Sequence, residues 1–283
     1  MTQARIAGSP PGVDRVADTG ADTGADTGSE NGADVSTPAL LPEMQYDEAL
    51  AHERAMLAAA DGSPGMVWSL WQTGTCIVVP RSHTVRPGFG EAVAASAARG
   101  FPVHVRDTGG GAVVQGAGVV NLSMVFSIGP QVRERIGTSY RVLCEPVMAM
   151  LRARGIEGAF RSIPGTMCDG IYNIVVGTRK LAGTAQRWRN LGRGRPGEHA
   201  VLAHMALFAD LDHVTAAAAI NALYADIGID SGIEAPTHIN WAEIETRPGT
   251  AVAVALAEEL DRACQAIDLE ALLDRLAKAQ AAG

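Results

Sequence analysis

Two short segments gather the residue types that do chemistry. One is Arg106-Asp-Thr-Gly109-Gly110-Gly111-Ala112-Val-Val-Gln115-Gly-Ala-Gly-Val-Val-Asn121, and the other is Gly177-Thr-Arg-Lys180-Leu-Ala-Gly183-Thr184-Ala185-Gln186. Three consecutive glycines between apolar runs let the backbone turn tightly and press its N–H groups against a ligand. Arg106 ahead of the turn adds a guanidinium, so amides and fixed positive charge together suit an anion. Lys180 follows a hairpin-like Val175-Val176-Gly177-Thr178 and aims one ammonium at a pocket. Gly183, Thr184 and Ala185 are small or polar where a plain hairpin alternates bulky apolar residues, so something approaches that backbone closely. The two segments together predict an anion-handling site and an enzyme. Gln115 has two readings, a ligand contact or a solvent contact, and Asn121 has the ordinary role of capping or bridging loops.

Four cysteines, Cys76, Cys144, Cys168 and Cys264, are widely spaced and form no CxxC pair. Free, reduced thiols in a cytoplasmic protein are the default expectation. The seven histidines show no metal-ligand spacing. Gly192-Arg-Gly-Arg-Pro-Gly197 fits GxGxxG but follows a hairpin rather than opening a strand–helix unit, so a Rossmann reading fails. No GxxxxGK[ST] occurs, which excludes a P-loop.

These residues need elements to position them. Apolar periodicity predicts a helix over 44–60, a strand pair at 66–71 and 76–79, and a helix over 90–99. Strands at 103–106 and 119–126 bracket the glycine turn. Tyr140, Leu143, Cys144, Val147, Met148 and Leu151 follow helical spacing, with Pro146 as an interruption and Gly155 as the stop. A hairpin is expected from 172–176 and 181–188, then a strand over 200–208. Asp212 is placed to cap a helix through Tyr224. Helices over 251–263 and 269–278 close the chain. Irregular interleaving of hairpins and helices favours an α+β fold over a doubly wound sheet.

The chain has 283 residues, 47% hydrophobic and 19% charged, with a net charge of −8. Half of that charge lies in the first 38 residues, where six acids face Arg5 and Arg15. The remainder is too ordinary in charge for a general nucleic-acid binder. No apolar run approaches membrane-spanning length. Residues 1–40, with Ala-Asp-Thr-Gly repeated three times, read as a disordered acidic tail. The expected division is 1–40 tail, 41–232 catalytic domain and 233–283 helical extension.

The order Arg106-x-x-Gly-Gly-Gly-Ala-Val, Asn121, Gly177-x-x-Lys180-x-x-Gly183-x-Ala185-Gln, then His204 ahead of Leu207-Phe-Ala-Asp-Leu211, resembles the lipoate–protein ligase A and octanoyltransferase superfamily. The resemblance spans about residues 44–225. It implies a mixed, largely antiparallel sheet flanked by helices, the biotin/lipoate ligase catalytic-domain fold. By the same resemblance, Arg106 and Gly109–Gly111 contact the acyl carbonyl end and the phosphate of an acyl-adenylate. Lys180 polarises the acyl carbonyl, and His204 either lines that pocket or is a backbone-bonded core histidine. The implied reaction joins lipoate to a lysine of a lipoyl carrier domain through lipoyl-AMP, with ATP and Mg²⁺. The carriers implied are the lipoyl domains of 2-oxoacid dehydrogenases or the glycine cleavage H protein. Trp71, Val113, Val125 and Ile174 are candidate walls for an acyl tunnel.

Departures from the family keep other readings open. Gln115-Gly116 replace a frequent His-Asp, and the roughly 50 residues after Gly232 fall short of the larger ligases' accessory domain, so a separate subunit is a candidate partner. Cys168 stands near the position of a nucleophilic cysteine found in some octanoyltransferases, although its spacing to the hairpin is short for that role. Two alternatives therefore stand: octanoyl transfer from acyl carrier protein through a Cys168 thioester without ATP, and a non-catalytic acyl- or carrier-binding protein on this fold.

Overall fold

The computed structural model describes residues 4–5, 42–230, 232–245 and 252–282. Ten strands run in chain order: β1 (Ala4–Arg5), β2 (Met66–Trp71), β3 (Cys76–Pro80), β4 (Val103–Arg106), β5 (Val113–Gln115), β6 (Val119–Ile128), β7 (Gly158–Phe160), β8 (Ile174–Val176), β9 (Arg179–Asn190) and β10 (His199–Phe208). The helices are α1 (Tyr46–Ala59), α2 (Arg81–Thr84), α3 (Phe89–Ala98), α4 (Arg135–Ala153), α5 (His213–Asp226), α6 (Trp241–Ile244), α7 (Val252–Gln265) and α8 (Leu269–Ala282). The expectation of a disordered tail over 1–40 lies outside the described residues, apart from β1. That short strand pairs parallel with β2.

Seven strands form one sheet in the order β1-β2-β6-β10-β9-β8-β7, antiparallel except at β1. A second sheet, β4-β3-β5, has one parallel and one antiparallel pairing. The α+β reading therefore holds, with a largely antiparallel sheet flanked by helices. Central β6 is buried along almost its whole length, with Val120, Leu122, Met124 and Phe126 in the main core and the buried Asn121 and Ser123 satisfied by hydrogen bonds. One face of the large sheet packs against α4, α7 and α8 through Leu143, Val147, Leu256, Leu260 and Leu272. Trp68 of β2 is fixed to α7 by an indole bond to Asp261 at 2.8 Å. The last helices thus share the main core. The other face carries α1 through Met56 and Leu57 against Val125 and Leu202.

One expectation fails. The runs at 66–71 and 76–79 are strands but do not pair with each other. Gln72-Thr73-Gly74-Thr75 is a crossover rather than a hairpin turn: β2 stays beside β6, while β3 leaves to seed the small sheet. Apolar patterning cannot distinguish these, because both strands are buried in either arrangement. Helix α4 runs on through Pro146, whose ring is buried in its apolar stripe. Asp212 caps α5 as expected, accepting from the N–H groups of Val214 and Thr215. No helix among the described residues is long and apolar enough to cross a membrane.

Candidate active site

The glycine turn joins β4 to β5 and is held from beneath by Arg106, a guanidinium only 5% exposed. Its Nη2 donates to the carbonyls of Gly109 (3.0 Å) and Gly111 (2.7 Å) and lies 3.3 Å from Cys168 Sγ. Its Nε has no partner, and no carboxylate among the described residues pairs with it. Gly110 has φ +107°, and a Cβ there would lie 2.5 Å from Cys168 Sγ. Only glycine gives both that conformation and that approach. From the far side Tyr224 of α5 closes the turn, its hydroxyl accepting from the N–H of Ala112 at 2.7 Å.

Cys168 belongs to the loop between β7 and β8. Asp169 shapes the loop by accepting from the N–H groups of Ile163 and Gly170 and from the Asn173 amide, each at 2.8 Å. Lys180, from the start of β9, reaches under it and donates to the carbonyls of Met167 (2.5 Å) and Cys168 (2.8 Å). That ammonium is 1% exposed, and burial pushes it down to about 8 despite the pull of Cys168 and Asp169. A Cβ on Gly183 would lie 3.0 Å from Lys180 Nζ, which explains the small residue there. Cys168 itself has φ +47°, a left-handed conformation uncommon outside glycine and a form of strain that clusters at active sites. Burial alone raises its thiol. Arg106, Lys180 and a bond from the Gly111 backbone outweigh this and bring it below the ordinary thiol value.

The thiol opens onto a cavity of about 60 Å³ whose lining includes Trp71, Val113, Gly183, Ala185, His204 and Ala206. Beneath it is a buried polar chain. Trp71 Nε1 donates to Ser123 Oγ (3.0 Å), Ser123 donates to Glu53 Oε1 (2.5 Å), and His204 Nδ1 lies 2.8 Å from the same oxygen. Burial raises the Glu53 carboxyl, but His204 and Ser123 more than offset it, so the group is held ionised below its usual range. Gln115 and Asn121 also line this cavity and bond each other reciprocally through their amides, at 3.0 and 2.9 Å.

A second cavity of about 230 Å³ adjoins the first, because Glu53, Arg106 and His204 line both. Asp107 stands at it and is gripped by Arg81 (2.8 Å), Arg54 (2.9 Å) and Arg187 (2.8 Å). Arg81 foremost, with Arg54 and Arg187, holds its carboxyl down to about 2. Among the described residues no three His, Cys, Asp or Glu side chains converge as a metal cage.

The structure gathers Arg106, Gly109, Gly110, Gly111, Ala112, Cys168, Lys180, Gly183, Ala185 and His204 at one place. Several do something other than what the motifs implied. Arg106 and Lys180 direct their bonds to loop carbonyls and act on the thiol through charge. Gln115 and Asn121 satisfy each other. Thr184 turns its hydroxyl away from the cavity to the carbonyl of Tyr172, at 3.1 Å. Of the proposed tunnel walls, Trp71 and Val113 line the cavity, whereas Val125 packs under α1 and Ile174 lies in the main core. Sequence reasoning missed Glu53, Tyr224 and His238. Glu53 carried a signal: it is an acid on the apolar stripe Ala49, Leu50, Met56, Leu57 of α1. His238, from beyond the motif region, accepts the Met167 N–H at 3.0 Å and so steadies the residue next to the thiol.

The large sheet is mostly antiparallel, its small residues Gly183 and Ala185 line the cavity onto which Cys168 opens, and Lys180 is buried beneath the Cys168 loop. The chain belongs to the lipoyl protein ligase A/B catalytic domain family, whose model matches residues 45–234. It is 37% identical over 185 residues to an octanoyl-GcvH:protein N-octanoyltransferase of Kyrpidia tusciae, covering 63% of this chain and 62% of that protein. It is 36% identical over 194 residues to an uncharacterised protein of Cupriavidus necator, covering 65% and 75%. The chain thus spans less than two thirds of the length of the Kyrpidia protein. In fold it is similar to a lipoate-protein ligase A bound with ATP (TM-score 0.56, 19% identity, 84% of this chain and 93% of that one). It is likewise similar to a bipartite lipoate protein ligase of Thermoplasma acidophilum described with its E2 lipoyl domain (TM-score 0.54, 16% identity, 84% and 91%).

Proposed function

We propose that this chain transfers an octanoyl or lipoyl group between carrier proteins through a thioester on Cys168. The observation that carries this reading is a strained, partly buried thiol 3.3 Å from a guanidinium that no carboxylate among the described residues neutralises, opening onto a cavity walled in part by Trp71, Val113, Gly183, Ala185 and Ala206. The relatives named octanoyl-GcvH:protein N-octanoyltransferase supply the donor: an H protein carrying an octanoyl-lysine amide. The Cys168 thiolate attacks the amide carbonyl to form a C–S bond. The oxyanion that develops is stabilised by Arg106 and the amides of the Gly109–Gly111 turn. The C–N bond breaks, the donor lysine leaves with an added proton, and the acyl group remains on sulfur. The ε-amine of a lysine on a second carrier, a lipoyl domain of a 2-oxoacid dehydrogenase, then attacks the thioester and gives up a proton, and the thiolate departs.

In these roles Cys168 is the nucleophile, Arg106 and Lys180 lower its pKa, and Gly183, Ala185 and Ala206 make room for the chain. One observation favours an ATP-dependent lipoyl-AMP route as a second reading. Among the described residues Arg54, Arg81 and Arg187 share one carboxylate, that of Asp107 at the outer cavity, and leave positive charge for a phosphate. On that route Mg²⁺ would come with the nucleotide, held through its phosphates as is usual for this ion.

The test is a mass-spectrometric assay on an apo lipoyl domain. One tube receives octanoyl-H protein without ATP, a second octanoyl-acyl carrier protein without ATP, and a third lipoate, ATP and Mg²⁺. Acyl transfer in the first tube, reduced at least about 10³-fold by Cys168→Ser, supports the proposal. Modification only in the third tube, unaffected by Cys168→Ser, replaces it with the ligase. Modification in none, with the ligand still bound, favours a binder.

A further inference from the structure

The thioester reading leaves a proton unaccounted for. A thiolate that has added to an amide collapses back unless the nitrogen is protonated before it leaves, because an unprotonated amine anion is not a viable leaving group. The proton must come from a side chain beside the scissile nitrogen.

Few groups at the thiol cavity qualify. Arg106 does not deprotonate. Lys180 is absent from the lining, and its bonds run to the Met167 and Cys168 carbonyls. Tyr46 is buried and its phenol is pushed far above its ordinary range by burial and by Glu53. His204 remains, and imidazole is the side chain suited to give and take a proton near neutrality.

We infer that His204, oriented by the buried carboxylate of Glu53, is the proton carrier of this active site, protonating the donor lysine as it leaves and taking a proton from the acceptor lysine as it attacks. The inference rests on the Cys168 thioester reading. Glu53 is 3% exposed on a helix face otherwise apolar, a costly place for a carboxylate without a task. Its Oε1 meets His204 Nδ1 at 2.8 Å and accepts from Ser123, whose own oxygen is fixed by Trp71. An ionised carboxylate can only accept, so the proton resides on Nδ1 and Nε2 is the basic nitrogen. Nε2 has no bond among the described residues. His204 also stands where the inner and outer cavities meet. An acyl chain at Cys168 fills the inner one and a carrier's lysine arm enters through the outer one, which places the reacting nitrogen at this junction. Glu53 is a positioning residue, and His204 the group that touches the substrate.

Two acyl donors separate the relay from the thioester. Octanoyl-H protein has an amine leaving group that needs a proton. p-Nitrophenyl octanoate has a phenolate leaving group that needs none. Acylation of Cys168 is followed by intact mass in wild type, His204→Gln and Glu53→Gln, with thermal melting read beside it. In His204→Gln, acylation from the ester is expected within about threefold of wild type, while acylation from the amide falls by about 10²-fold or more. Glu53→Gln is expected to fall in the same direction by less, with the ester rate retained. In His204→Ala, added imidazole is expected to restore acylation from the amide. Equal losses from both donors in folded His204 variants without imidazole rescue, or no loss from either, overturn the relay and leave the thioester standing. Failure of wild-type Cys168 to acquire octanoate from either donor overturns the thioester reading and the relay with it.

Discussion

Arg106 Nη2 and Cys168 Sγ lie 3.3 Å apart although 62 residues separate them in the chain. The same nitrogen bonds the carbonyls of Gly109 and Gly111, so one guanidinium fixes the turn and biases the thiol toward thiolate. Because those partners are carbonyls, the cation is not neutralised by them. Its field acts on sulfur in a place where water screens little.

This arrangement sets the labelling behaviour of the four thiols. Cys168 is expected to react with iodoacetamide first, with a rate profile whose midpoint lies below the ordinary thiol range. Cys76, pushed up to about 12 by burial, and Cys144 and Cys264, raised further by burial, are expected to stay unlabelled in the folded protein. Arg106→Met removes a cation and raises the Cys168 pKa, so labelling at pH 7 slows by about tenfold. An unshifted profile in Arg106→Met would contradict the electrostatic account.

Gly110 and Gly109 form a matched pair for a steric test. Gly110→Ala forces a Cβ to 2.5 Å from Cys168 Sγ and 3.0 Å from Arg106 Nη2, at φ +107°. It is expected to cost about 1–3 kcal/mol in urea unfolding and to abolish Cys168 labelling. A Cβ on Gly109 meets nothing within 4 Å, so Gly109→Ala is expected to leave both readouts close to wild type.

Tyr224 acts on the turn from α5. Tyr224→Phe keeps the ring in its pocket and leaves the buried Ala112 N–H without its acceptor, at a cost of about 1–3 kcal/mol. Hydrogen exchange at Ala112 is expected to speed up while β6 amides keep their protection. Unchanged exchange at Ala112 would show that the hydroxyl carries no such role.

His238 makes the loop beside the thiol sensitive to acid. Burial, then His213 and Lys180, push it down to about 4 from the ordinary 6.5, and its neutral Nε2 accepts the Met167 N–H. The unfolded chain takes up the proton near 6.5 and the folded one only near 4. Stability is therefore full above 6.5 and falls as the pH drops from 6.5 to 4, by up to about 3 kcal/mol from this residue. His213, stacked at 5.0 Å and also lowered by burial, adds to the slope in the same direction. In His238→Gln, which retains an acceptor, urea midpoints are expected to depend less on pH across that window. Equal slopes would remove His238 from the account.

Local pattern made much of this site legible. The strands and helices that hold it follow alternation, helical spacing and a cap, and the glycine turn and Lys180 announce themselves by residue type. What the sequence concealed is long-range partnership. The crossover at Gln72–Thr75 looks like a turn because turn chemistry is local, whereas which sheet a strand joins is decided by distant neighbours. Gln115 is polar enough to suggest a ligand, yet Asn121 satisfies it across β5 and β6. Tyr224 is one more apolar-stripe residue of α5 until its hydroxyl is seen under the turn. Glu53 alone left a trace, as a charge on a buried stripe.

The interior position of β9 and β10 has an evolutionary corollary. Ala185 faces His204 and Gly183 faces Ala206 across that ladder, and neighbouring positions point to the opposite side of the sheet. Deleting or inserting one residue within either strand would exchange the lining beyond that point for the residues that now face α4, unless a bulge absorbed the change. The length of these two strands is consequently as constrained as the identity of the small residues they present to the cavity. Variation among relatives should instead collect in the 191–198 connection at their far end, where a changed loop leaves the reading frame of the floor intact.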